Sequence, residues 1–439
     1  MSKGRLFLLL LIAVAAGYYY YQSRPGPVLP NAVRRPVLAV LPFENLNNRA
    51  DLEYLSKAFT RETIAKLGQL GATRLDVIAY RSIDGYRGSR KSLHAIGREL
   101  DVDYVIEGGV RRDADALFVS ARLTRVSDEV RLWAEEVERP LGNTSSIQSE
   151  LIDMITKSLN VTIRPEDRAA MDRATTSVTR ARDAYLRGQD QCERGDAPSI
   201  RQCIASFEES MKADPRYARA RAALADVELQ SRHNVDRAEQ LVRSALASSD
   251  AIPQAHVVLG DVLYRFRKDD KGAEAEFKKA LALNPSDSNA CLRYAEFLLT
   301  KNRPDEALAQ AQRSLDLDPF SIEPNLVLGR IMTASKSYDA AISQLEKTVA
   351  LDRNSPEIRY WLAEAYLARG MYEDAIREFE KATSFGPDVP EYVASLGEAY
   401  AAAKRPKEAS AQLQRLRDLA GKRAVAPELI EDLSKRIRN

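Results

Sequence analysis

Histidine, cysteine and tryptophan are scarce in this chain, with three, three and two copies in 439 residues. His94, His233 and His256 fall in different segments, and no cysteine or carboxylate cluster accompanies them at metal-ligand spacing, which leaves no metal centre and no histidine-based catalytic set to build. A glycine-rich strand-to-helix turn followed by Lys and Ser or Thr is missing too. Gly108-Gly109 is the nearest approach to a phosphate loop and reads as a strand bulge. Trp133, inside an apolar strand, reads as core rather than as a ligand-stacking ring. No charge of one sign prevails: 65 basic and 63 acidic residues are finely interleaved, so no basic stripe exists to neutralise a phosphate backbone. The expectation is a protein that is not an enzyme, with no cofactor, no metal, no evident small-molecule substrate and no nucleic acid partner.

Long apolar runs are also rare, and the one present is at the start. Lys3 and Arg5 precede the uncharged run Leu6 to Gly17, and Tyr18 to Tyr21 follow as four aromatic residues suited to a membrane-water interface. As a helix, Leu6 to Tyr21 spans ~24 Å against a hydrocarbon core of ~30 Å, short but workable with snorkelling flanks. Residues 1–22 therefore read as a transmembrane anchor, with cleavage as a signal peptide after Ala13-Val14-Ala15 as the alternative. Residues 23–35, with Pro25, Pro27 and Pro30, read as a semi-rigid spacer. The resulting expectation is a single-pass protein of the bacterial inner membrane with its C-terminal domains in the periplasm.

What the chain has in abundance is repetition. Leu317-Asp318-Pro319 recurs in altered form every 34 residues, as Leu283-Asn284-Pro285, Leu351-Asp352-Arg353 and Phe385-Gly386-Pro387. Small residues recur with it: Gly329 and Ala341, Ala295 and Ala307, Ala363 and Ala375, Gly397 and Ala409, where two antiparallel helices must approach closely. Phe277, Leu345, Phe379 and Leu413 supply the bulky contact one turn further on. A 34-residue helix-turn-helix period is the signature of tetratricopeptide repeats, which bury their apolar faces only by stacking on neighbours. Gly260 and Ala273 stand one residue further apart than their counterparts, and Asp214-Pro215 stands 36 residues before Asp250-Ala251, which predicts small loop insertions in the earlier copies. Seven hairpins are expected over 181–420, and 421–439, with Pro427 to Arg438, should form a polar-faced capping helix.

Residues 36–163 have another texture, and 164–180 read as a linker. Pro36 to Phe43 and Arg74 to Tyr80 read as strands, separated by a helix carrying Leu52, Leu55, Phe59, Ile64, Leu67 and Leu70. A second helix, Ser92 to Leu100, leads into a meander of Tyr104 to Arg112, Leu117 to Val126 and Val130 to Arg139, and Ile147, Leu151, Ile155 and Leu159 mark a third. The fold class expected is thus α/β plus all-α: an N-terminal membrane helix, a mixed-sheet α/β domain, then an α-solenoid.

Val40-Leu41-Pro42-Phe43-Glu44-Asn45-Leu46, Ile96-Gly97-Arg98-Glu99-Leu100, Tyr104 to Arg112 and Leu132-Trp133-Ala134-Glu135 resemble the TolB amino-terminal-like domain, in the version found beside tetratricopeptide repeats. Pro165-Glu166-Asp167-Arg168 and Ala184-Tyr185-Leu186-Arg187-Gly188 are similar to that family's linker and first hairpin. The resemblance departs at Ala58-Phe59-Thr60-Arg61-Glu62, where the family is more acidic, and in the lack of an output domain before Lys3. Neither transcription control nor cyclase activity is carried over.

Two sets of residues are candidates for function. Glu296, Arg330, Glu364 and Glu398 recur at one place in four successive first helices, and Tyr360 lies one turn before Glu364, so together they should line a mostly acidic groove suited to a basic or extended protein segment. A solvated charged face without a ligand is the bland alternative. Cys192 and Cys203 flank the turn of the first hairpin as a candidate disulfide, with two small buried residues as the alternative, and Cys291 reads as buried. The function expected is a membrane-anchored, periplasm-facing adaptor that captures proteins through this groove. Its alternative is an envelope sensory subunit signalling to a separate cytoplasmic effector.

Overall fold

A computed structural model of the chain describes residues 35–48, 52–70, 75–113, 116–140, 144–165, 167–169, 175–231, 234–422 and 424–438. The expected anchor at 1–22 lies outside the described residues, and no described helix is long and apolar enough to cross a membrane. The fold class is corrected accordingly to a mixed-sheet α/β domain and a helical solenoid, with no membrane-spanning helix among the described residues, and the inner-membrane, periplasm-facing localisation loses its support. Residues 36–439 form one compact unit.

The α/β part runs β1 (Val37–Val40), β2 (Glu44–Asn45), α1 (Glu53–Gly68), β3 (Asp76–Val77), α2 (Tyr80–Asp84), α3 (Leu93–Leu100), β4 (Tyr104–Asp113), β5 (Ala116–Arg125), β6 (Arg131–Pro140) and α4 (Thr144–Ser158). The sheet order is β3-β1-β4-β5-β6, with β2 also pairing β4. β1 is parallel to β3 and β4, and β4, β5 and β6 form the antiparallel meander. Leu38, Val40, Ile106, Val119, Leu123 and Phe43 build a core against α1 and α4. Ala39, Ile78, Ile83, Ile96 and Val105 build a second core on the opposite face. That alternation is what a strand buried on both sides requires. Two expectations are corrected. The strand foreseen over Arg74 to Tyr80 is short, and the chain turns at Tyr80 into helix α2. Gly108-Gly109 is not a bulge, since it pairs in regular register with Ala121 and Ser120; the irregularity lies at Leu123/Thr124. A Cβ on Gly108 would stand 2.2 Å from the Ser120 carbonyl and against the Phe43 ring, so packing demands glycine there.

The array consists of seven described hairpins: α5 (Thr179–Glu193) with α6 (Ala197–Ala213), α7 (Ala218–Ser231) with α8 (Val235–Ser248), α9 (Pro253–Val262) with α10 (Asp270–Leu283), α11 (Ser288–Thr300) with α12 (Pro304–Leu317), α13 (Ile322–Ala334) with α14 (Tyr338–Leu351), α15 (Pro356–Arg369) with α16 (Tyr372–Phe385), and α17 (Pro390–Ala402) with α18 (Pro406–Ala420). Helix α19 (Pro427–Arg438) closes it, with Leu433 fully buried over Gly397. The extra residue between Gly260 and Ala273 is not a loop insertion. It is taken up in a π-helical turn, Leu263–Arg267, that continues α9. At Gly329 a Cβ would fall 2.5 Å from Leu345 Cγ. Gly329→Leu is therefore expected to overpack that hairpin and to cost ~1–3 kcal/mol in denaturant unfolding.

The two parts are joined along a seam with two ends. At one end α1 lies on α5: Tyr54 donates to Asp183, Lys57 Nζ meets Asp190 at 2.9 Å, and Arg61 pairs with Glu193. Glu62, only 5% exposed, meets Arg182 of α5 at 2.6 Å, Arg219 of α7 at 3.8 Å and Gln148 of α4. At the other end the turn after α12 receives β3 and α2. Arg313 Nη1 donates to Asp76 at 2.8 Å, Ala79 N to the Leu317 carbonyl at 2.8 Å, and Ser82 Oγ to Asp318 at 2.5 Å. Phe320 N completes this end by donating to Ser82 Oγ at 2.9 Å.

Candidate functional site

Successive first helices touch one another, α7 on α9 and so on to α15 on α17, and thereby form the inner layer of the array. The row foreseen from the 34-residue spacing lies on this layer, but it divides into two electrostatically different halves. Glu296 of α11 is half-buried among three guanidinium groups: Arg330 of α13 at 3.3 Å, Arg293 at 3.5 Å and Arg265 at 3.5 Å. Arg265 belongs to the π-helical turn. Behind this cluster Asp261 of α9 is 2% exposed, and burial holds its carboxyl up at about 6 although Arg293 and Arg265 oppose the rise. The front half of the row is thus neutralised within the protein.

The back half is acidic and aromatic. Arg330 turns its guanidinium face onto Trp361, 4.5 Å from the ring centroid, and so marks the boundary. Tyr360 of α15 stacks on Tyr392 of α17 at 5.0 Å and packs edge-on against Trp361 at 5.2 Å. Glu364 lies beside Tyr360 and close enough to Glu398 for their charges to interact. Burial pushes the Glu398 carboxyl up; Arg436 opposes the rise, and Glu364 and Asp432 add to it. Arg436 comes from the closing helix α19, with Nε 3.0 Å from Glu398. Trp361 and Tyr392 were not singled out from the sequence. The 34-residue register gives no signal for Tyr392, which stands two residues before Ala394, the counterpart of Tyr360.

The remaining candidates are placed elsewhere. Cys192 and Cys203 are joined across the first hairpin, Cα atoms 5.3 Å apart, which ties the end of α5 that carries Asp190 and Glu193 to α6. Cys291 is buried, and burial pushes its thiol up to about 12. His256 is 2% exposed, and its ring meets Glu276 at 2.5 Å and the Asp250 carbonyl at 2.9 Å, a position inside the packing of the third hairpin. Trp133 packs against the sheet core. Among the described residues no three His, Cys, Asp or Glu side chains are grouped to hold a metal ion.

Comparison with known proteins matches residues 268–331 and 332–396 to one tetratricopeptide-repeat family model and 229–288 to another. The helical array is made of tetratricopeptide repeats. Such repeats present extended concave surfaces, and their proteins are protein-protein interaction adaptors. Residues 34–155 match the second domain of HilA/YgeH-like transcriptional regulators. A 262-residue stretch, 58% of the chain, is 27% identical to the putative adenylate cyclase 3 of Rhizobium meliloti (strain 1021). The chain spans 44% of that relative's length. Among solved structures, the Pseudomonas aeruginosa protein pilF is 22% identical and aligns over 51% of this chain and 98% of its own, with a TM-score of 0.42. A tetratricopeptide-repeat protein from Parabacteroides merdae is 13% identical and aligns over 59% and 99%, with a TM-score of 0.44.

Proposed function

We propose that this chain is an interaction adaptor whose last three tetratricopeptide repeats hold a basic, extended segment of a protein partner. One observation carries the reading. Along the inner layer Glu296 is consumed by internal arginines, whereas Glu364 and Glu398 stand beside the Tyr360-Tyr392 stack, and Arg436 of the closing helix reaches Glu398. Aromatic faces and carboxylates together suit arginine or lysine side chains on an extended backbone. The α/β domain, on this reading TolB-like, serves as the fixed support for the array. A second reading, a regulatory subunit that hands a signal to a separate effector, draws on the two-ended seam between the parts. The named relatives, a transcriptional regulator and a putative cyclase, point the same way.

The test uses the full chain and labelled nine-residue peptides, either arginine- and lysine-bearing or acidic, in fluorescence anisotropy. Basic peptides should bind at 0.1 M salt and weaken toward 1 M, as the screening length falls from ~10 Å to ~3 Å. The double variant Glu364→Lys, Glu398→Lys should lower affinity about tenfold or more with unchanged helicity. Equal binding by a well-folded double variant removes the groove from the mechanism.

A further inference from the structure

The end of α5 that meets α1 is held by a covalent bond where other hairpins rely on packing. Cys192 lies in the last turn of α5 and Cys203 in α6, their Cα atoms 5.3 Å apart and their sulfurs joined. Counted along the repeat, Cys192 stands where the fourth and sixth hairpins carry Leu299 and Leu367, and Cys203 where they carry the fully buried Ala307 and Ala375. Each leucine packs in the same apolar cluster as its alanine. Two thiols do not fill the volume that a leucine fills against an alanine, so without the bond the last turn of α5 has less contact to hold it on α6.

That turn carries much of one end of the seam. Asp190 accepts from Lys57 of α1 at 2.9 Å, and Glu193 pairs with Arg61. Arg61 lays its guanidinium on the Tyr80 ring, 4.5 Å from the centroid, and Tyr80 opens α2, whose Ser82 donates to Asp318 in the turn after α12. The last turn of α5, Arg61 and Tyr80 thus form one path from the first hairpin to the far end of the seam. Access to the bond is one-sided: Cys203 is fully buried, whereas Cys192 is half-buried beside residues 193–198, all of them exposed. We propose that the Cys192-Cys203 bond is a redox latch on the seam, opened by exchange with a dithiol. A thiolate of the dithiol attacks Sγ of Cys192, the S–S bond breaks, and Cys203 leaves as a thiolate that takes up a proton. The second thiol of the reductant then attacks the reductant's own sulfur in the mixed disulfide and releases Cys192, which is protonated in turn. Two electrons and two protons have passed to the protein, and the dithiol has become a disulfide. In the opened state the last turn of α5 frays, and Asp190 and Glu193 lose their fixed positions under Lys57 and Arg61. Glu62 keeps its pairing with Arg182, so α1 is loosened rather than detached.

The test is amide hydrogen exchange under native conditions, read by mass spectrometry on the full chain carrying Cys291→Ala, oxidised and after reduction with dithiothreitol. Thiol counts in denaturant should give none for the oxidised protein and two for the reduced one. On reduction the amides of α1 and α2 should exchange at least about tenfold faster, while those of α15 to α18 are unchanged. Oxidised glutathione should restore both the bond and the protection. Cys192→Leu with Cys203→Ala installs the pairing that other hairpins use and should keep α1 and α2 protected with or without reductant, whereas Cys192→Ser with Cys203→Ser should exchange as the reduced form does. Two thiols that persist in oxidised glutathione, equal protection of α1 and α2 in the two states, or faster exchange spread uniformly over the array overturns the inference. The latch does not rest on the groove of the last three repeats, since neither readout involves peptide binding.

Discussion

Glu62→Ala is expected to destabilise the protein by about 3–5 kcal/mol, the usual cost of removing one member of a buried ionic cluster and leaving its partners uncompensated. Glu62 is 5% exposed and neutralises Arg182 and Arg219 from two different hairpins. Burial alone would raise its carboxyl, but Arg182, Arg219 and Lys66 together outweigh burial and bring it down from the ordinary 4.5 to about 2. Since the folded value lies below the ordinary one, the stabilisation is complete above about pH 4.5 and is lost as pH falls toward and through 2. Over that window the wild type should lose roughly 3 kcal/mol through this group. The variant should lose correspondingly less. Urea unfolding at pH 7 and along a series from pH 5 to pH 2 measures both effects; equal pH slopes for the two proteins would refute the assignment.

Phe277→Ala should cost about 3–5 kcal/mol as well, by opening a cavity in the third hairpin. Phe277 is fully buried between Gly260, Tyr294 and Phe297. In an isolated repeat array such a loss would stay local, because stability there is a sum of repeat and nearest-neighbour contributions. Here the seam bridges from α5 to the turn before α13, so the third hairpin lies between its two ends. The expected result is that both parts lose stability together. The two tryptophans provide the measurement, since Trp133 is in β6 of the sheet and Trp361 in α15 of the array. Single-tryptophan variants of Phe277→Ala should give coincident unfolding midpoints, both shifted. A shift confined to Trp361 would mean that the seam does not couple the two parts.

The repeats were legible because a 34-residue period leaves its mark directly on composition: the small residues at Gly329 and Ala341 must recur wherever two helices close up. The same spacing put Glu296, Arg330, Glu364 and Glu398 on four successive first helices, and those helices touch one another. What periodicity cannot convey is partnership. Glu296 looked like one acid among three, yet Arg265 reaches it only because the extra residue before Ala273 is wound into a π-helical turn rather than spent in a loop. The seam was invisible for a related reason. Ser82 and Asp318 are 236 residues apart, and the apolar stretch before Tyr80 resembles a strand until its neighbours are known. The apolar pattern at the start of the chain suggested an anchor and thereby a location, neither of which the described residues support.

Stacked repeats ordinarily behave as a spring, in which each junction contributes a small compliance and the whole can lengthen or twist. A strut fixed at both ends across several junctions changes that mechanics. With α1 held on α5 and α2 held at the turn after α12, the first four hairpins act as a stiff base, and bending is confined to the stretch from α13 onward. Load applied to the free end would flex it about that boundary, where Arg330 rests on Trp361, rather than stretch the base on which the sheet is held.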